Sequence, residues 1–66
     1  MKTLLGLTFW DKDGLLFESF QLLNSDKKAV AIADFRDGKL EKFDFTESCK
    51  DSAVEWRDKL IQERQL

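Results

Sequence analysis

Two Asp-Gly dipeptides, Asp13-Gly14 and Asp37-Gly38, each stand between apolar, β-prone stretches. Such a dipeptide is a strong short-range hairpin signal, because both central residues of a type I′ turn need positive φ. The first would join Thr3–Trp10 to Leu15–Leu23, and the second Ala29–Arg36 to Leu40–Thr46. Between the two hairpins, Asn24-Ser25-Asp26-Lys27-Lys28 reads as a polar turn. The expectation is a four-stranded antiparallel meander, order 1-2-3-4, with strands over about 3–10, 15–23, 29–36 and 40–46.

A two-residue turn at Asp13-Gly14 pairs Lys12 with Leu15, then Phe9 with Glu18, Leu7 with Phe20 and Leu5 with Leu22. That register gathers Leu5, Leu7, Phe9, Phe20 and Leu22 onto one face. A three-residue loop with Gly14 as a bulge instead sets Leu7 against Ser19 and Leu5 against Gln21, which segregates the apolar residues less well. The two-residue register is preferred on that ground. A second type I′ turn pairs Ile32 with Phe43 and Val30 with Phe45, and the 24–28 loop sets Leu22 opposite Val30 and Phe20 opposite Ile32. The three turns agree on one core face, Leu7, Phe20, Ile32 and Phe43 in one row and Leu5, Leu22, Val30 and Phe45 in the next.

From Ser48 the period changes. Cys49, Ala53, Trp56 and Leu60 recur at helical steps, with Val54 and Ile61 on the flank. Ser48 is placed to cap a helix over about 48–65, with Asp51 at the third helical position. A sheet with one apolar face needs a lid, and Trp56 is its expected anchor. The fold class is α+β, in a single domain over 1–66.

The 66 residues are 42% hydrophobic and 36% charged, a folding composition rather than a disordered one. Eleven basic and thirteen acidic residues are interspersed, so the net charge of −2 creates no global field for nucleic acid or an anionic membrane. Cys49 stands alone and histidine is absent, which leaves no internal disulfide and no Cys/His zinc set. The apolar start is short, broken by Gly6 and Thr8 and followed by Asp11-Lys12-Asp13, so it reads as a strand and not a leader. Cytoplasmic residence, no membrane association and no cofactor are the expectations, and the isolated glycines form no phosphate-binding loop.

The same register predicts the opposite face. Trp10, Phe17, Phe35 and Leu40 would form a row across all four strands, backed by Thr8, Ser19, Ala33 and Lys42. One helix covers one face, so this row would lie open as an interaction surface. The reading is a small non-enzymatic interaction or regulatory module. It would bind a protein partner or associate with itself through Trp10, Phe17, Phe35, Leu40, Ala33 and Lys42. The plainer reading of Trp10 and Phe17 is a stabilising cross-strand aromatic pair. A different class of function, single-stranded nucleic-acid binding, would use the same aromatics with Lys12, Arg36, Lys39 and Lys42. The acidic balance and the adjacent Asp11, Asp13 and Asp37 speak against it. Glu18, Asp34 and Glu41 would neighbour one another at the turn end of the core face, a weak candidate for a divalent cation or acid–base chemistry. Neutralisation by solvent or by Arg57, Lys59 and Arg64 of the helix is the stronger reading.

Overall fold

A computed structural model describes residues 1–65. Its four strands, β1 (Lys2–Trp10), β2 (Leu16–Leu23), β3 (Ala29–Arg36) and β4 (Lys39–Phe45), form one antiparallel sheet in the order β1-β2-β3-β4. A 3₁₀ turn over Glu47–Cys49 leads into one helix, α1 (Lys50–Arg64). The fold is α+β.

The loops set the registers. Asp11 N–H donates to the Leu15 carbonyl, Gly14 N–H donates to the Asp11 carbonyl, and Asp11 Oδ1 accepts from the Asp13 and Leu15 N–H groups. This closes a three-residue loop in which Gly14 takes φ 76°, a conformation that L side chains resist. The two-residue turn expected at Asp13-Gly14 is therefore corrected: the Asp11 carboxylate satisfies the extra backbone donors that the longer loop leaves open. The β2–β3 loop repeats the construction. Asn24 Oδ1 accepts from Asp26 and Lys28, Lys27 N–H donates to the Asn24 carbonyl, and Lys27 takes φ 63°. Asp37-Gly38, with φ of 55° and 75°, is the expected two-residue turn between paired Arg36 and Lys39.

Three one-residue shifts then interrupt the ladders. Pairing runs Phe9 with Phe17 and Leu7 with Ser19, skips Gly6, and resumes with Leu5 opposite Phe20. Val30 is the extra residue between the Leu22–Ala31 and Leu23–Ala29 pairs, and Glu41 between the Phe35–Leu40 and Asp34–Lys42 pairs. Each bulge exchanges the faces of the residues beyond it, because side chains alternate with period two. The resulting rows on the helix side are Leu5, Phe20, Ala33, Phe43 and Thr3, Leu22, Ala31, Phe45. The third is Thr8, Glu18, Phe35, Leu40. Leu7, Phe9 and Ile32, expected in the core, sit on the far face instead.

The helix lies chiefly over β3 and β4. Ala31, Ala33 and Ala53 are buried, small side chains that let helix and sheet approach closely, and Phe35, Trp56 and Leu60 fill the space around them. Trp56 is the anchor expected of it, and its Nε1–H donates to Thr3 Oγ1 at 2.9 Å. Ser48 makes no capping bond, because the chain leaves β4 through the 3₁₀ turn, where the Cys49 N–H donates to the Thr46 carbonyl. The α-helix consequently starts at Lys50, with half-buried Cys49 at its cap position.

At the other helix end, Arg64 forms a bidentate pair with Glu18, both bonds 3.1 Å, and donates to the Leu60 carbonyl. Its guanidinium lies 4.4 Å from the Phe20 ring centre and 4.9 Å from that of Phe35. Both charges are mostly shielded, with side-chain exposures of 15% and 19%. Arg64→Ala would strand the Glu18 carboxylate and remove the two ring contacts, and should lower stability by about 2 kcal/mol in urea denaturation. Arg57→Ala, which loses a Phe43 contact and a bond to its neighbour Asp58, should change it by about 0.5 kcal/mol. Lys27→Gly should raise stability by about 1 kcal/mol in the same assay, because glycine adopts the loop's positive φ without steric penalty.

Candidate functional site

The bulges split the predicted aromatic row. Phe35 and Ala33 are completely buried beneath α1, and Leu40 packs half-buried against the same core. The reason is the Val30 bulge, which sets Phe20 opposite Ala33 and Leu22 opposite Ala31 and so turns residues 31, 33 and 35 toward the helix. Phe17 lies on the far face, half-buried, stacked on Phe9 with ring centres 5.0 Å apart. Lys42 is on that face too, 3.6 Å from Asp44. Trp10 is on the helix side of the sheet but beyond the helix's cover, and remains 70% exposed. The small side chains of Ala31 and Ala33 admit the helix.

What lies open instead is β1. Every one of its nine residues is exposed. Leu4 and Phe9 are 43% exposed, Leu5 and Leu7 51%. As the first strand of a meander it has a partner on one flank only, so alternate backbone N–H and C=O groups face outward. Leu5 and Trp10 flank the free edge on the helix side, and Leu4, Leu7 and Phe9 on the far side. No charge interrupts Thr3–Trp10. Sequence reasoning assigned Leu5, Leu7 and Phe9 to the core, although that uncharged run at the margin of a predicted meander is the signal that identifies the strand.

Polar groups are engaged elsewhere. Arg36 Nε and Nη2 donate to Asp11 at 2.7 Å and to Asp13 at 3.0 Å. The Leu15 N–H, and after it the Asp13 N–H and the Arg36 guanidinium, hold the Asp11 carboxyl below the usual carboxylate range against the opposing effect of burial. Asp11 in turn raises the basicity of Arg36. The carboxylates expected to meet are dispersed: Glu18 pairs with Arg64, Asp34 accepts from Ser19 Oγ at 2.7 Å on the far face, and Glu41 is exposed at its bulge. Among the described residues no three His, Cys, Asp or Glu side chains come together as a metal site, and no helix is long and apolar enough to cross a membrane. Comparison of the chain with protein-family models, with curated proteins and with solved structures finds no match.

Because folding depresses the Asp11 pKa, its ionised form contributes stability above the unfolded value of about 4, and that contribution disappears as pH falls through the folded value. Asp11→Asn keeps an acceptor for the loop, as Asn24 does, and loses the charge. Wild type should be the more stable protein at pH 6, and the gap should close as urea titrations are taken to progressively lower pH, below the unfolded value.

Proposed function

We propose that this chain is a non-enzymatic interaction module that takes up another protein strand along β1. The observation that carries this reading is the free edge itself: the eight uncharged residues Thr3–Trp10, with large apolar side chains exposed on both sides of the backbone. An added strand would satisfy the outward N–H and C=O groups and cover those side chains together, the two components of strand-addition binding. The far face is suited to flank such a strand rather than to bind alone, since its β3 and β4 portion carries Asp34, Arg36, Lys39, Lys42 and Asp44.

Nucleic-acid binding has less support. The aromatics assigned to a stacking platform do not share a face, and Arg36 and Lys42, which would meet phosphates, already face carboxylates. A photo-reactive amino acid at Leu7 should give covalent adducts with protein in cells, whereas the same group at exposed Asp51 on α1 should not. Leu5→Lys, which sets a charge on the free edge, should abolish the Leu7 adducts while thermal unfolding stays cooperative. Equal labelling from the two positions, or none from Leu7, would remove the basis for this reading.

A further inference from the structure

We infer that the strand taken up by β1 is β1 of a second copy, antiparallel, with the two-fold axis between Gly6 and Leu7; this rests on the strand-uptake reading above. The Gly6 bulge is what selects this register. Asp11 turns its backbone N–H toward β2, so Phe9 and Leu7 do likewise, and Trp10 and Thr8 face outward. Beyond the bulge the alternation resets, and Leu5 and Thr3 face outward. The outward set Thr3, Leu5, Thr8 and Trp10 reads the same in both directions about the midpoint of Gly6 and Leu7. Two copies related by that axis therefore match Thr3 with Trp10 and Leu5 with Thr8, twice over. No other register brings all four outward residues opposite outward residues.

The side chains agree with the backbone. On the far face Leu4 meets Phe9 of the second copy, and Leu7 meets its Gly6, the one position on the strand without a side chain to oppose it. Lys2 at one end comes opposite Asp11 at the other, beside the Asp11–Arg36–Asp13 cluster, so no like charge is set directly against it. On the helix side, Trp10 is carried to the far end of the neighbouring β1. There an open cleft lies between that strand and α1, whose lining includes Leu22 and Trp56 together with Ser52, Glu55 and Lys59. The most exposed aromatic residue thereby reaches a recess that holds Leu22 and Trp56 beside polar side chains.

Leu4, Leu5, Leu7, Phe9 and Trp10 together expose on the order of 500 Å² per chain. Covering them completely on both copies would remove about 1,000 Å², the size a specific interface has to clear. The product is a continuous eight-stranded sheet with two-fold symmetry and an isologous contact.

The register is tested by disulfide trapping in a Cys49→Ala background. Leu4→Cys and Phe9→Cys proteins, mixed and oxidised, should give a covalent heterodimer, because that pair lies at non-hydrogen-bonded spacing within disulfide reach. Either protein oxidised alone should give at least about tenfold less dimer. Sedimentation of the unmodified chain should show a dimer in reversible equilibrium, with the dissociation constant raised about tenfold or more by Leu5→Lys. Thr8→Pro, which removes an outward N–H and leaves the β1–β2 ladder its bonds, should do the same. A chain that stays monomeric at all concentrations, or a dimer in which Leu4→Cys traps as well alone as mixed, would overturn the inference. Should the chain be monomeric while Leu7 labels a different protein in cells, self-pairing fails and strand uptake stands; if Leu7 labels nothing, both fail.

Discussion

The Asp11 carboxylate is the constraint on which the sheet depends. One oxygen takes the N–H groups of Asp13 and Leu15, and the other takes the Arg36 guanidinium from the far side of β2. The first pair of bonds fixes a three-residue loop, and with it which residues of β1 lie opposite which of β2. The second ties that loop to the end of β3. A single side chain thus sets the register at the turn and holds three consecutive strands in place at that end of the sheet. Asn24 performs the first of these tasks in the next loop without a charge.

The helix then divides the molecule. Its close seat on the alanines of β3 leaves Phe20, Leu22 and Phe35 buried, and Arg64 closes the far end by pairing with Glu18 over two phenylalanine rings. A fifteen-residue helix over β3 and β4 cannot also roof β1. The apolar residues of that strand are therefore surplus to the core of one chain, and this surplus is what leaves them exposed along the edge.

Strand count, order, the C-terminal helix and the role of Trp56 were legible in the sequence, because hairpin signals and helical periodicity are local. Facing was not. Asp11 and Asn24 each stand three residues before a positive-φ position, a pattern that marks the longer loop, yet better apolar segregation favoured the shorter one at Asp13-Gly14. Segregation misled because it assumed that all apolar residues of β1 belong inside. The bulges at Gly6, Val30 and Glu41 carry no common sequence mark, and only Gly6 is a residue type that suggests one. The Val30 bulge moved Phe35 and Ala33 from the predicted surface into the core, while the three-residue loop moved Leu7 and Phe9 out. Trp10 stayed exposed for a different reason than the register implied: it lies past the helix's cover.

The Trp56–Thr3 hydrogen bond gives β1 a part in the stability of the rest of the chain. A strand paired on one flank and roofed on neither face belongs to the low end of a protein's local stability, opening without the rest of the sheet. Thr3 joins that frayed margin to the middle of α1. Whatever pairs with β1 holds Thr3 in place and so steadies the helix, and by the reciprocity of linked equilibria a well-seated helix presents a better-ordered strand. A strand added at the edge would in this way be felt in the melting of the core.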